Sequence, residues 1–187
     1  MTRCFPEVVV NTRQAMLKMM PPDVGHVVAE LGVFAGDWAA EMLEALGPRE
    51  LHLFDTWNIG HIECGDQHGQ NIVRRDGEEL WRGVAKRFAG DDRVSVYRMP
   101  TSYIRSFRPG TFDFIYIDAD HAEAAVYDDL CHAEAVVRQT GIIAGHDYGA
   151  MFPGVVRAVN RFCKERPWEL WMVTEDGCPS FALRRRR

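Results

Sequence analysis

The stretch at positions 27–36 places the strongest constraint on how this chain can fold. It is a short apolar run with two valines that ends at Glu30 and is followed by Gly32 and Gly36, after which residues 37–46 show helical spacing. Glycine is needed where the backbone takes positive φ or approaches a ligand closely, and the first turn of a helix offers unpaired N–H groups. The stretch therefore predicts a strand, a glycine turn and a helix that bind a nucleotide-like ligand.

Length and composition limit the number of domains and the class of partner. The 187 residues, 47% hydrophobic and 26% charged, have a globular composition and suffice for one domain over 1–187. The net charge of −5 argues against a nucleic-acid-binding surface. No apolar run reaches the length of about 20 residues that a membrane span needs, and no signal-peptide core is visible. We therefore expect a cytoplasmic protein without nucleic-acid or membrane partners.

The order of the remaining elements predicts a doubly wound α/β sheet. Apolar runs that end in acids or turns predict strands, and segments of helical period predict helices between them. A nearly continuous apolar run, as at 112–117, indicates burial on both faces, which is typical of parallel sheets. The last two strands are too close for a crossover and should form an antiparallel hairpin. The predicted strands are 27–31, 51–54, 94–97, 112–117, 141–145, 168–173 and 180–183, and the predicted helices are 6–20 (within a leading segment, 1–25), 37–46, 78–88, 122–138 and 155–163.

One segment, 56–76, opens without any sustained period and is rich in Gly, His, Asn and Asp. A loop of this length within a compact domain is typical of a lid or a substrate-binding loop. It contains His61, Cys64 and His68, whose spacing is not a standard zinc pattern. The five cysteines of the chain are scattered without a CxxC pair, so disulfides and a cysteine zinc site are not expected.

The chain ends in a basic run, 184–187. Terminal residues are poorly ordered unless something holds them, so we expect a solvated tail. A phosphate-binding arm is the alternative.

Acidic side chains follow four of the predicted strands. Glu30, Asp55, Asp118 and the pair His146 and Asp147 all stand at carboxyl ends of strands. In an open parallel sheet these ends meet at one rim, where ligands bind. Any one of these acids could instead cap a turn, but four together favour a functional site.

Two kinds of nucleotide ligand compete for the opening turn. A dinucleotide fingerprint has G-x-G-x-x-G, and here Phe34 occupies the place of the second glycine, which obstructs a pyrophosphate. A ligand with an amino-acid end and a ribose fits better. The glycines would give its amino-acid end room, and Asp55 would accept two hydrogen bonds from ribose hydroxyls.

Four motifs together resemble a known family. Residues 30–36 (ELGVFAG), 54–57 (FDTW), 116–121 (YIDADH) and 141–148 (GIIAGHDY) look like the ordered motifs of class I S-adenosylmethionine (SAM)-dependent methyltransferases. Within that superfamily they are similar to the small-molecule, metal-dependent O-methyltransferases of the catechol and caffeoyl-CoA type. The resemblance covers about 27–162 and implies a Rossmann-like seven-stranded sheet of order 3-2-1-4-5-7-6, with strand 7 antiparallel.

The resemblance also implies which residues hold the cofactor SAM. The methionine end would lie against Glu30, Gly32, Phe34 and Gly36, and the ribose against Asp55. Thr101 and Ser102 fall where the family contacts adenine, although the glycine that usually precedes them is replaced by Met99 and Pro100. Asp118 would lie beside the cofactor as well.

For the chemistry, the resemblance implies a divalent cation held by Asp118, His146 and Asp147. His146 stands where the family has a carboxylate. Two carboxylates with waters suit Mg²⁺, whereas an imidazole moves the preference toward Mn²⁺, Fe²⁺, Ni²⁺ or Zn²⁺. We expect Mg²⁺ or Mn²⁺, with the identity of the cation open. His121 occupies the position of the family's lysine base and becomes the predicted general base. The alternatives are that His146 and Asp147 cap a loop and that His121 only bonds Asp118. Trp57, His61 and Tyr148 are predicted to contact the substrate, with core packing as an alternative for the two aromatic residues.

Together these expectations define an O-methyltransferase. Its acceptor would be a small hydroxylated molecule such as a catechol, another vicinal diol or a sugar of a natural product. The alternatives are a SAM-binding subunit without catalysis and, disfavoured by Phe34, an NAD-dependent oxidoreductase. The oligomeric state is open, with a homodimer as one option.

Overall fold

The computed structural model describes the backbone of residues 6–59, 61–65 and 72–186, and the side chains of 6–59 and 76–186. In chain order the elements are β1 (Val8–Val10), α1 (Arg13–Lys18), β2 (Val27–Leu31), α2 (Asp37–Leu46), β3 (Glu50–Asp55), β4 (His61–Gly65), β5 (Ile72–Asp76), α3 (Gly77–Phe88), β6 (Val94–Arg98), a 3₁₀-helix (Thr101–Ser106), β7 (Phe112–Ile117), α4 (Glu123–Val136), β8 (Val137–Gly145), α5 (Pro153–Glu165), β9 (Trp168–Thr174) and β10 (Phe181–Arg185).

The predicted strand order is confirmed within an eight-stranded sheet. The strands lie in the order β1-β9-β10-β8-β7-β2-β3-β6. All neighbours pair in parallel except β10, which is antiparallel to both β8 and β9. Leaving β1 aside, this is the order 3-2-1-4-5-7-6. The fold is therefore an α/β Rossmann-like methyltransferase fold with one strand more than expected.

Strands β2 and β7 form the centre of the sheet, and every residue of both is buried. Their apolar runs serve two cores, because helices cover both faces of the sheet. One core packs α4, α5 and the 3₁₀-helix against the sheet, and the other packs α1, α2 and α3 against the opposite face. This arrangement leaves the carboxyl ends of the parallel strands free at one rim. Among the described residues, no helix is long and apolar enough to cross a membrane.

The prediction of one leading helix over 6–20 is wrong in its first half. Val8–Val10 form β1, which pairs in parallel with residues 172–174 of β9. The helix α1 is confined to Arg13–Lys18. Thr12 is its N-cap, and the Thr12 side chain accepts a hydrogen bond from the Ala15 N–H. Three consecutive β-branched residues favour a strand over a helix. This added strand covers an edge of the sheet and fixes where α1 begins.

The segment predicted as a loop over 56–76 also contains regular structure. β4 and β5 pair antiparallel as a separate two-stranded sheet, and β5 leads directly into α3. The Asp76 side chain caps α3 by accepting from the N–H groups of Glu78 and Glu79. The side chains of His61 and Cys64, and all of His68, lie outside the described residues. The lid role of this segment stays a prediction.

The basic C-terminal run is not a solvated tail at Arg184 and Arg185, whereas Arg186 is exposed and Arg187 lies outside the described residues. Arg184 and Arg185 belong to β10, and Arg184 pairs with Glu169 at 2.7 Å and with Glu7. The Arg185 guanidinium lies 4.6 Å from the centroid of the Trp168 ring. Arg186 donates to the carbonyl of Cys163. Arginine stacks on aromatic rings and forms forked hydrogen bonds, which explains why this run extends the sheet.

Two boundaries differ around the fifth predicted strand. The helix expected over 122–138 ends at Val136, and the strand expected over 141–145 begins already at Val137. Gly141 lies inside β8, where a Cβ would approach the carbonyl of Asp113 to 2.8 Å. This close backbone contact, rather than a turn, accounts for the glycine that suggested a strand start.

Candidate active site

The glycine turn after β2 has the conformation that its sequence predicts. Gly32 and Gly36 have φ values of 88° and 77°, and Phe34 has a φ of 50°. A Cβ on Gly32 would lie 2.0 Å from the carbonyl oxygen of Asp118, so no larger residue fits there. The turn after β2 thus touches the end of β7, which brings Asp118 to the same rim.

Asp55, at the end of β3, holds this turn in place. Its Oδ2 accepts hydrogen bonds from the N–H groups of Val33 at 2.9 Å and Phe34 at 3.0 Å. Its Oδ1 accepts from the N–H of Trp57 at 2.7 Å. A carboxylate offers about four acceptor sites, so one remains for a ligand hydroxyl. Asp55 therefore has a structural task that the sequence did not reveal, in addition to its place on the rim.

Two adjoining cavities run along the rim. The larger, about 550 Å³, is lined among others by Asp55, Thr101, Asp118 and Asp129. The smaller, about 380 Å³, is lined among others by Arg13, Glu30, Gly32, Phe34, Trp38, Asp118 and His121. Gly32, Phe34 and Asp118 line both, so the glycine turn separates two halves of one groove. Thr101 donates to Asp129 at 2.6 Å, whereas Ser102 is exposed and does not line either of these two cavities.

Glu30 brings a buried acid to the smaller cavity. Its side chain is 1% exposed, and among the described residues its Oε2 has no hydrogen-bond partner. Burial, followed by the charge of Asp118, raises the pKa of Glu30 well above its ordinary value. An unpaired buried carboxyl oxygen is costly and indicates a missing donor. The position fits the ammonium group of an amino acid.

The residues predicted to act as general base and as cation ligands lie together on the rim. His121 Nε2 lies 2.9 Å from Asp147 Oδ2. His146 Nδ1 lies 3.2 Å from Asp147 Oδ1 and 3.7 Å from Asp118 Oδ2. Asp147 is 5% exposed and has a φ of 62°, which turns its carboxylate between the two imidazoles. All four residues thus form one cluster, which we call the His–Asp cluster.

The His–Asp cluster contains a group of ligand atoms suited to a cation. Among the described residues, ligand atoms of Asp118, His121 and Asp147 all lie within 4.8 Å of one another. This set differs from the predicted one, because His121 takes the place expected for His146. Two carboxylates and an imidazole suit a divalent cation.

Electrostatics separates the roles within the cluster. Burial would lower the pKa of His146, but the hydrogen bond to Asp147 and the charges of Asp118 and Asp147 outweigh burial and raise it. Burial would raise the pKa of Asp147, but His146 and then His121 outweigh burial and lower it. Burial raises the pKa of Asp118, with the charge of His146 acting against it. Of the two carboxyl groups, Asp147 is therefore the one whose surroundings favour the ionised form, which can orient an imidazole.

The two aromatic residues that were predicted to contact the substrate both make packing contacts. Trp57 is 2% exposed and donates from its Nε1 to the carbonyl of Phe34 at 2.8 Å. The structure thus shows the core-packing alternative for Trp57, which anchors the glycine turn. Tyr148 is partly buried, donates to Asn160 at 3.2 Å and packs 5.9 Å from the Phe181 ring centroid. A substrate role for Tyr148 and His61 stays a prediction.

Two residues beside the site, Arg13 and Phe152, were not predicted from the sequence. Arg13 lines the smaller cavity, and the Phe152 ring lies 4.4 Å from the His121 ring, centroid to centroid. Arg13 belongs to an element assigned only to packing, and Phe152 lies in a loop without a pattern. Only the tertiary arrangement of α1 and of the loop after β8 brings them to the rim.

The fold is Rossmann-like, and a comparison with known families defines the class of the protein. A family model described as "Methyltransferase domain" matches residues 29–148, which is more than half of the chain. The chain belongs to this family of methyltransferase domains. No curated protein matches the sequence.

Solved structures support the fold at low sequence identity. Cofactor-bound Rv0187 from MTB has a TM-score of 0.63 and 17% identity, covering 95% of this chain and 81% of that one. The methyltransferase CalH in complex with SAH has a TM-score of 0.60 and 14% identity, covering 92% and 55%. Spermidine synthase from Thermotoga maritima has a TM-score of 0.59 and 16% identity, covering 93% and 59%. The chain thus spans less than two thirds of the spermidine synthase, and these likenesses concern the fold.

Proposed function

We propose that this chain transfers the methyl group of SAM to a hydroxyl of a small molecule such as a catechol, another vicinal diol or a sugar of a natural product. The observation that carries the proposal is the His121–Asp147 pair, 2.9 Å apart at the edge of the cavity that contains Glu30. A buried carboxylate that orients an imidazole at the border of a donor site is an arrangement suited to proton abstraction.

The groove accommodates SAM in one direction. The unpaired Oε2 of Glu30 fits the methionine ammonium, and Gly32, Phe34 and Gly36 shape the turn beside it. The remaining acceptor site of Asp55 suits a ribose hydroxyl. Adenine then extends into the larger cavity toward Thr101 and Asp129. In this direction the sulfonium methyl would lie near Asp118, which lines both cavities, and near His121 of the smaller cavity.

A third cavity, about 220 Å³, adjoins the His–Asp cluster at Asp147. It is lined by Asp147, Gly149, Ala150, Met151, Phe152, Gly177, Cys178 and Pro179. Its lining is mostly apolar apart from Asp147, and its volume suits one small ring. We assign the acceptor to this cavity, with its hydroxyl directed toward His121.

The residues of the cluster can carry out the transfer as follows. Asp147 holds His121 through Nε2, so Nδ1 is the basic nitrogen that takes the acceptor proton. The acceptor oxygen then attacks the methyl carbon, so that an O–C bond forms while the S–C bond breaks and S-adenosylhomocysteine leaves. Asp147 stabilises the imidazolium that results. The protein otherwise aligns two reactants, which is a large part of the acceleration in such reactions.

A divalent cation, Mg²⁺ or Mn²⁺, fits the cluster and forms a further part of the proposal. Asp118, Asp147 and either His121 or His146 would hold it. When bound, it would lower the pKa of the acceptor hydroxyl. Because His121 cannot be a ligand and a free base at once, His146 would be the imidazole ligand in a cation-bound enzyme that uses His121 as base.

The test is methyl transfer to a panel of catechols, diols and sugars, followed by release of S-adenosylhomocysteine. We expect His121→Asn and Asp147→Asn to lower kcat by about 10²–10⁴-fold, the range of a lost general base. Calorimetric binding of S-adenosylhomocysteine should change little in both variants. His26→Asn, an exposed histidine away from the rim, is the matched control. Full activity of His121→Asn would overturn the base assignment.

Chelation separates the cation from the base. Loss of turnover in EDTA, restored by Mg²⁺ or Mn²⁺, supports the cation. Turnover that persists in EDTA but disappears in His121→Asn leaves the His121–Asp147 pair as the sufficient device and removes the cation from the proposal.

The negative charge around the site bears on whether the acceptor is a small molecule or a nucleic acid. The acids Asp118, Asp120 and Asp147 around the site would repel a phosphate backbone, so we propose a small acceptor and no nucleic acid. The alternative of a SAM-binding subunit without catalysis predicts S-adenosylhomocysteine binding with no turnover on the whole panel. The NAD-dependent alternative has no support from the family to which the chain belongs.

A further inference from the structure

We propose that Arg13 binds the α-carboxylate of the methionine end of SAM, opposite Glu30, and so makes the site selective for a cofactor with an intact amino acid. The inference rests on SAM as the cofactor. It assigns a ligand contact to α1, an element that precedes the first central strand of the sheet and that the motifs of the chain do not include.

The position of the Arg13 side chain carries the proposal. Its guanidinium carbon lies 4.3 Å from the centroid of the Trp38 ring, at the start of α2. Both side chains line the smaller cavity together with Glu30 and His121. A guanidinium that rests on a ring through its face keeps its N–H groups available at its edge. Those groups match the two oxygens of a carboxylate.

The charges of the cavity require such a group. An α-amino acid carries an ammonium and a carboxylate on one carbon, and the described lining offers Glu30, Asp37 and Asp118 to the ammonium. The same three acids would repel the carboxylate. Arg13 is the one arginine or lysine among the described lining residues. Its charge already acts on Glu30, whose pKa it lowers against the dominant effect of burial.

The surrounding fold fixes Arg13 where the ligand needs it. The backbone N–H of Arg13 donates to Asp176 Oδ2 at 3.3 Å, and the backbone N–H of Glu175 donates to the carbonyl of Val10 at 2.9 Å. Both acids lie in the turn between β9 and β10. Met16 and Leu17 of α1 are buried against the core. The extra strand β1 and this turn therefore hold the helix over the cavity.

The experiment compares two ligands that differ only in the carboxylate. S-adenosylhomocysteine and its decarboxylated form, S-adenosyl-3-thiopropylamine, are titrated by calorimetry into the full chain and into Arg13→Met, which keeps an apolar stem on Trp38. Arg13→Lys keeps the charge but not the fork. Lys18→Met removes a positive charge from an exposed position of the same helix and is the matched control.

We expect Arg13→Met to weaken S-adenosylhomocysteine about 10- to 100-fold, the cost of a lost hydrogen bond to a charged group. The decarboxylated ligand should change by less than about 2-fold, Arg13→Lys should be intermediate, and Lys18→Met should match the unmodified chain. Equal weakening of both ligands, or no weakening, overturns the proposal while SAM binding itself stands. If Arg13→Met fails to fold, the unmodified chain still decides, because equal affinity for both ligands contradicts a carboxylate contact. An unmodified chain that binds neither ligand contradicts the cofactor instead.

Discussion

At the scale of the residue, burial disfavours the ionised form of Glu30 in the free protein. This carboxyl group is buried, lacks a partner for Oε2 among the described residues and has a raised pKa. Such a group is stable in the interior only when it is protonated or when a ligand supplies a hydrogen-bond donor. In the proposed SAM site, the ammonium group of the methionine end would supply this donor.

The first prediction concerns the stability of the free protein. Because the folded-state pKa of Glu30 lies above the unfolded value, the contribution of Glu30 is fully present below about pH 4.5 and is lost as pH rises toward the folded pKa. Glu30→Gln should therefore raise the Tm at neutral pH, by roughly 2–4 °C for each kcal/mol of relief. The same variant should bind S-adenosylhomocysteine at least about tenfold more weakly. Thermal melts and calorimetry measure both effects.

Glu44→Gln is the control for this prediction, since Glu44 is an exposed acid of α2. It should leave both quantities unchanged. A Glu30→Gln variant with lower Tm and undiminished binding would show that Glu30 is a structural residue.

The second prediction concerns the contact between β2 and β7. In Gly32→Ala the new Cβ would lie 2.0 Å from the carbonyl oxygen of Asp118 at a φ of 88°. Neither backbone can yield without moving the rim, so we expect a loss of more than about 3 kcal/mol or failure to fold. Gly83→Ala is the matched control. In this variant the new Cβ would meet nothing within 4 Å, and replacing a glycine inside α3 should raise the free energy of unfolding by about 0.5–1 kcal/mol. Denaturant unfolding of both variants decides, and a near-neutral Gly32→Ala would contradict the close approach.

At the scale of the element, β1 and α1 turn a leading segment into part of the site. β1 extends the sheet beyond β9, and α1 follows after Thr12 and packs beside α2. The helix has only six residues. A helix this short depends on its cap and on its packing.

The third prediction tests that dependence. Thr12→Ala removes the hydrogen bond from the Ala15 N–H, 3.2 Å long, and should cost about 1 kcal/mol, or roughly 2–4 °C in Tm. Thr12→Ser keeps the hydroxyl and should retain most of the stability. If Arg13 holds the cofactor, Thr12→Ala should also weaken S-adenosylhomocysteine, because the helix that positions Arg13 frays. Thermal melts and calorimetry provide the two values, and an unchanged Tm would contradict the cap.

At the scale of the whole molecule, the sequence predicted what is local to a strand and missed what depends on packing. Glu30, Asp55, Asp118 and Asp147 could be placed on one rim because each follows a strand, and parallel strands end on the same side. Strand order followed from the resemblance of the motifs to a known family. The positions of residues that depend on long-range contacts could not be predicted from strand ends or from the family resemblance.

For several site residues the sequence did not predict the position or the role, and each case has a physical reason. Arg13 reaches the rim only because β1 pairs with a strand more than 160 residues later in the chain. Asp55 spends most of its acceptor sites on backbone N–H groups, and Trp57 is buried by its bond to Phe34, neither of which a residue pattern can show. His121 rather than His146 completes the closest set of ligand atoms, because the loop after β7 turns its side chain toward Asp147.

The fourth prediction also belongs to this scale. Ligand binding to the folded state alone stabilises it, by about 2.7 kcal/mol at 100 times Kd. Saturating S-adenosylhomocysteine should therefore raise the Tm of the full chain by several degrees. NAD at the same concentration should leave it unchanged, and an equal shift with NAD would reopen the dinucleotide alternative.

The central claim is that one groove orients SAM with its amino acid at Glu30 and its methyl group toward the His–Asp cluster. A crystal structure of the chain with S-adenosylhomocysteine tests it most directly. We predict that the ammonium bonds Glu30 Oε2, the carboxylate faces Arg13, a ribose hydroxyl bonds Asp55 and the sulfur lies on the side of His121. Density for the ligand away from the glycine turn, or with the adenine at Glu30 and the amino acid at Thr101, would contradict the account.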